Sequence, residues 1–294
     1  MESRTDLALE IHEMLKAGDG KGVYTSSEKH GKMTVSMINI TSPMGALRMN
    51  KPMGEYITIS CPPFSDNIEM ASEEIEIIAG KIACLLPKNK DLALVVGLGN
   101  RNITPDALGP SVIERILATR HISDDVKRST GLEMLRPVAA ISPGVLGQTG
   151  VETAEIIHSV VSEISPGVVI VIDALASRSA SRLGTTIQIS NTGISPGSGV
   201  LNKRKEISAQ SLGCPVISIG TPTVVDLISL IKEIAQTDDL SAYKDKIEPR
   251  GEPMMLTPKE IDLIISRASR VVAMAINRAL QPEVAAKDIE YLVS

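Results

Sequence analysis

Five consecutive β-branched residues, Val168 to Ile172 in the stretch GVVIVIDALASRSASR, constrain the fold of this chain more than any other feature. Such a run suits a strand covered on both faces, the mark of a parallel sheet flanked by helices. Similar apolar stretches recur as LALVVGLG, AAISPGVLG and PVISIG. Segments with helical spacing lie between them, including ASEEIEIIAGKIACLL with Ile75, Ile78, Ile82 and Leu85 in register. Helices are also expected through PDALGPSVIERILATR, from about Thr149 to Ile164, from near Pro222, and in TPKEIDLIISRASRVVAMAINRAL. MTVSMINI and GEYITIS read as two further strands that extend the sheet in antiparallel fashion near the N-terminus. The expected fold is therefore a three-layer α/β/α domain with a mostly parallel sheet and an added antiparallel N-terminal β element. Residues 1–30, with a short helical pattern and the loop KAGDGKG, look like a peripheral arm.

Composition narrows the function. Of the 294 residues, 43% are hydrophobic but only 2% aromatic, so the core is aliphatic. Thirty basic against thirty-five acidic residues, with few rings to stack bases, argue against direct nucleic-acid binding. Three scattered cysteines, Cys61, Cys84 and Cys214, suggest neither a disulfide framework nor a zinc site and fit a cytoplasmic protein. No signal peptide or membrane-spanning run of ~18 apolar residues is evident, so no membrane partner is expected.

Two carboxylates stand where apolar strands are expected to stop. Asp173 closes the β-branched run, and Asp106 follows the strand of LALVVGLGNRNITPDALGP. Thr104 can cap the next helix with Pro105 at its first position, which puts Asp106 in a first turn favourable to an anion. A carboxylate at the end of a doubly covered strand is costly unless it is paired or faces a cleft. Open α/β sheets bind ligands outside the carboxyl ends of their strands, so the two acids could converge there. Carboxylates that share a proton split their acidities, one serving as general base and the other as general acid. Such a pair can direct water at an amide without serine or metal.

Other motifs carry less. GISPG, Gly193 to Gly197, has the form of a serine-hydrolase elbow, but no histidine follows His158 to complete the triad. GLGNRN lacks the third glycine of a dinucleotide loop. His12, His30, His121 and His158 are dispersed, which gives no metal-ligand spacing and no cofactor. Thr149 with Glu152, and Thr257 with Glu260, have the spacing of capping boxes. Arg178 and Arg182 in RSASR could orient a substrate near Asp173 or pair with surface acids, and LNKRKE reads as a solvated loop.

The stretches RTDLALE, GLGNRNITPDALGP, GVLGQTG, VIDALASRS, TTIQISNTGISPGSG and PTVVD occur in the order in which the chain resembles the germination protease family. That resemblance implies an intracellular, spore-core peptidase that degrades small acid-soluble spore proteins, is made as a zymogen and acts as a homotetramer. It also implies two essential aspartates, which carry over onto Asp106 and Asp173, and self-cleavage between Asp6 and Leu7 within RTDLA. On that reading residues 1–6 are a propeptide and residues 7–294 one α/β peptidase domain. More distantly, GLGN, DALGP and VIDA are similar to hydrogenase-maturation endopeptidases, whose acids bind nickel with a histidine; no histidine follows Asp173. A small-anion-binding protein, using the glycine loop and the first-turn amides of the Asp106 helix as a cradle, is the non-enzymatic alternative.

Overall fold

The computed structural model describes residues 5–15, 20, 22–66, 72–195, 205–235, 247 and 254–293. Among them, β1 (Val23–His30), β2 (Met33–Ile40), β3 (Gly54–Ser60), β4 (Ala93–Gly97), β5 (Val138–Ile141), β6 (Val168–Ser177), β7 (Thr186–Ser190), β8 (Val216–Asp226) and β9 (Met255–Leu256) build one sheet. Its order is β1-β2-β3-β7-β8-β6-β4-β5, with β9 pairing on β8. Strands β8, β6, β4 and β5 run parallel, whereas β1, β2, β3 and β7 are joined antiparallel to their neighbours and to β8. MTVSMINI and GEYITIS form β2 and β3 as expected, and the antiparallel part is larger than expected because it also takes in β1 and β7.

Alternation along the strands sorts the core into two layers. Val168, Ile170 and Ile172 of β6, with Ala93 and Val95 of β4, face α3 (Ser72–Leu85), α4 (Leu108–Ile113) and α10 (Ile261–Leu280). Val169 and Val171, with Leu94 and Val96, face α7 (Thr153–Ile164) and α8 (Ala209–Leu212) on the other side. Further along that second face, Ile38, Ile40 and Tyr56 pack under α1 (Ala8–Met14) and α2 (Pro43–Met49). Among the described residues the further α-helices are α5 (Asp124–Thr130), α6 (Leu146–Thr149), α9 (Leu227–Ala235) and α11 (Ala286–Val293).

Several boundaries differ from the sequence reading for identifiable reasons. The helix expected through residue 120 ends as α4 at Ile113, because α10 takes over the main-chain bonds beyond it. Asn277, almost fully buried in α10, accepts from the Leu117 N–H at 2.9 Å and donates to the Arg115 carbonyl at 2.8 Å. Asn277→Leu should strand both groups and cost about 2 kcal/mol, read as a lower urea midpoint with unchanged slope. An equal midpoint would show that the loop does not depend on this side chain.

Pro222 lies inside β8, and the next helix, α9, starts only at Leu227. Neither expected capping box forms. Thr149 ends α6, while Glu152 precedes α7 without a side-chain cap; Thr257 donates to the Thr223 carbonyl, and Glu260 precedes α10 without capping it. The N-terminal segment is not a peripheral arm, since Leu7 and Ala8 are fully buried. Residues 1–4, positions 16–19 and 21 of the KAGDGKG loop, Pro196 and Gly197 of GISPG, and residues 201–204 of LNKRKE lie outside the described residues.

Candidate active site

Asp106 is placed by glycines. The chain leaves β4 at Gly97 and turns at Gly99, whose φ of +113° and clearance allow little else. A Cβ there would stand 2.0 Å from the Asp106 carbonyl oxygen. Helix α4 also comes down directly on the end of β4, since a Cβ on Gly109 would lie 2.2 Å from the Leu98 carbonyl oxygen. Asp106 itself sits in a 3-10 turn, Thr104–Asp106, preceded by Ile103 and not capped by Thr104. Its Oδ2 accepts the Asn100 N–H at 2.7 Å, so the carboxylate ties the loop after β4 to the start of α4. The turn packs against β6 and β8. From the next strand edge, Gln148 of α6 donates to the Asn100 side chain at 2.7 Å and closes the rim on that side.

The expectation that Asp173 ends its strand needs correction. It is the sixth residue of the ten-residue β6, because the eleven-residue β8 keeps pairing with β6 as far as Ser177 and Val225. Only β4 stops here: its last residue, Gly97, pairs with Ile172, so Asp173 stands at the open edge left by β4. Its side chain is 7% exposed, and Oδ1 accepts the Ala174 N–H at 2.9 Å. Asp106 thus lies just past the end of β4, and Asp173 lies inside the neighbouring parallel strand β6 at the level where β4 stops.

Asp173 also belongs to a polar row that crosses the sheet. The register aligns Asp173 with Gly220, Gly220 with Gln188, Gln188 with Thr58 and Thr58 with Ser36. On this second face the strand residues of both apolar clusters, Val169 and Val171 on β6 and Ile38, Ile40 and Tyr56 on β2 and β3, lie to one side of the row. The residues around the proposed cleavage point bind to Gln188 of this row, to Lys51 and to residues 176–179 at the end of β6 and just beyond. The Asp6 N–H donates to the Ala176 carbonyl at 2.9 Å, and Asp6 Oδ2 accepts the Ala176 N–H at 2.8 Å. The Asp6 carbonyl accepts from Lys51 Nζ and from Gln188 Nε2, each at 3.0 Å. The Ala8 N–H donates to Gln188 Oε1 at 2.7 Å. Glu10 accepts the Arg178 and Ser179 N–H groups at 2.7 and 3.0 Å, and Thr5 bonds to the same carboxylate. Desolvation pulls the Lys51 ammonium below its ordinary pKa, and the nearby Asp6 partly opposes that shift.

The remaining motifs resolve without catalytic geometry. Arg182 pairs with Glu13 at 3.0 Å and donates to Ser60, and Arg178 contributes its main-chain N–H to Glu10. Ile194, just before Ser195, pairs with Ile207 in an isolated bridge, which is not the strand-to-helix corner of a hydrolase elbow. The amide of Asn100 is taken by Asp106, and α4 is only six residues long, so the anion cradle loses its donor. Lys51 and Gln188 were not found from sequence. Gln188 lies within the β-rich TTIQIS, where its polar character between Ile187 and Ile189 was the available signal; Lys51 follows a helix end and gave none.

The family model described as Germination protease matches residues 4–237. The chain is 42% identical over 317 residues to the germination protease of Caldanaerobacter subterraneus subsp. tengcongensis, covering 99% of this chain and 98% of that relative. It is 41% identical over 319 residues to that of Clostridium tetani, covering 98% of each. Among solved structures, the NiFe hydrogenase maturation protease HycI from Thermococcus kodakarensis KOD1 aligns with a TM-score of 0.39 and 17% identity, over 68% of this chain and 99% of that one. By its sequence this chain belongs to the germination protease family, a family of peptidases.

Proposed function

We propose that this peptidase begins the breakdown of small acid-soluble spore proteins at germination. It is made as a zymogen that removes residues 1–6 by cutting between Asp6 and Leu7, and it works in the spore core as a homotetramer. Asp106 and Asp173 share one proton. The ionised partner takes a proton from water as it attacks the peptide carbonyl, and the protonated partner supplies the proton needed by the leaving amine. The residues invoked for this step require no cofactor.

The observation that carries this reading is that Asp106 follows the end of β4, Asp173 lies on the adjacent parallel strand β6 where β4 stops, and the Asp6–Leu7 junction is seated on that same strand. Family membership supports the choice of peptide hydrolysis over other reactions that two carboxylates could serve. The test is mass spectrometry of the purified full-length chain held at neutral and mildly acidic pH. Loss of residues 1–6, faster on the acid side where a shared proton is retained, is the expected result, followed by cutting of an added acid-soluble spore protein. A processed chain that leaves that protein whole would remove the substrate assignment, and a rate independent of pH would remove the shared proton.

A further inference from the structure

The residues that hold the Asp6–Leu7 junction do not treat its groups alike. Ala176 binds both the N–H and the carboxylate of Asp6, so β6 fixes the residue before the bond. Leu7 is fully enclosed, and the Ala8 N–H is bound to Gln188 Oε1, so the two residues after the bond are fixed as well. The carbonyl of the bond itself receives two donors from elements distant in sequence. One is Lys51, in the segment between α2 and β3; the other is Gln188 of β7. Asp6 therefore spans from β6 to β7 above β8, over the polar row that also contains Asp173.

Two donors on one half-buried carbonyl oxygen exceed what docking the segment requires, because one bond already satisfies that acceptor. They match what hydrolysis requires. When the oxygen of water bonds to the Asp6 carbonyl carbon, the C=O π electrons move onto oxygen, and pre-placed donors stabilise the charge that develops there. The C–N bond to Leu7 then breaks, its electron pair stays on nitrogen, and that nitrogen takes a proton to leave as the new amino terminus.

We infer that Lys51 and Gln188 form the oxyanion-binding pair of this peptidase, first for its own Asp6–Leu7 bond and then for the equivalent bond of a protein substrate. The inference rests on the cleavage point proposed above. Lys51 brings its amino group to that oxygen at 3.0 Å from a site where burial pulls its pKa below the ordinary lysine value. Gln188 performs two tasks with one side chain, as donor to the carbonyl before the bond and acceptor for the second amide after it.

Lys51→Met keeps the length of the side chain without its charge, and Gln188→Glu keeps the acceptor for Ala8 while removing the donor for Asp6. Each full-length variant is followed by mass spectrometry for loss of residues 1–6, with hydrogen–deuterium exchange over residues 5–15 and 174–179. Each should slow the cut about 100-fold, the usual loss for one oxyanion donor, while both segments stay as protected as in the unaltered chain. Cleavage at the unaltered rate by both variants would overturn the inference. So would slowing matched by loss of protection, which would make the pair a docking contact alone. Should Lys51→Met fail to fold, Gln188→Glu gives the same decision. Failure of the dyad shows separately, as undiminished cleavage by Asp173→Asn, and an unaltered chain that never cuts would overturn both.

Discussion

Asp173→Asn should slow removal of residues 1–6 by about 1000-fold, the scale of a lost general acid–base group, without unfolding the chain. The isosteric amide can still accept the Ala174 N–H through its oxygen, so β6 retains its local geometry. It also removes a carboxylate that is only 7% exposed, which lowers the cost of burial. What the amide cannot do is exchange a proton with water. Asp106→Asn should have a similar effect, since its oxygen can also keep the 2.7 Å bond from Asn100. Time courses by mass spectrometry, with thermal melts of each variant, provide the comparison. If either asparagine variant processes itself at the unaltered rate while its melt is unchanged, that aspartate takes no part in the chemistry.

The second large effect concerns stability. Gly109→Ala should cost about 3 kcal/mol, at the upper end of overpacking penalties, because the new methyl would meet main chain and not a side chain that could turn aside. It would approach the Leu98 carbonyl oxygen to 2.2 Å and the Leu98 nitrogen to 2.5 Å. The strand could not yield without displacing Gly97, itself 2.3 Å from the Gly109 carbonyl by the same measure, or the Gly99 turn that holds Asp106. Activity should therefore fall even in the fraction that remains folded. Gly147→Ala in α6 is the control: nothing lies within 4 Å of its Cβ position, and replacing glycine in a helical turn should leave stability equal or slightly higher. Urea unfolding of both variants would test the contrast, and equal midpoints would contradict it.

The sequence and the structure agree best where periodicity alone decides. The runs at 33–40 and 54–60 became strands with those bounds, and the spacing of Ile75, Ile78 and Ile82 became α3. Disagreement arises where a distant part of the chain controls local conformation. Nothing near residue 115 announces that Asn277 will claim its carbonyl, and nothing around Asp173 reveals that β8 will carry β6 four residues further. The candidate site follows the same division. Asp106 and Asp173 were visible because a carboxylate stands out beside apolar runs. Lys51 and Gln188 become conspicuous only when the sheet aligns β3, β7, β8 and β6 side by side.

The seat of the Asp6–Leu7 junction also fixes when in the life of the chain it can exist. Its main-chain partner, Ala176, lies 170 residues further on, and Gln188 lies 182 residues away. At roughly 5–20 residues per second of synthesis, the N-terminus leaves the ribosome many seconds before the strands that receive it. β3 waits equally for β7, its neighbour in the finished sheet. A nascent or truncated chain lacking the second half therefore has no seat for its own cut site. Under the self-cleavage proposed above, the cut would act as a checkpoint on assembly, because the bond is presented only by a chain that has already closed its sheet.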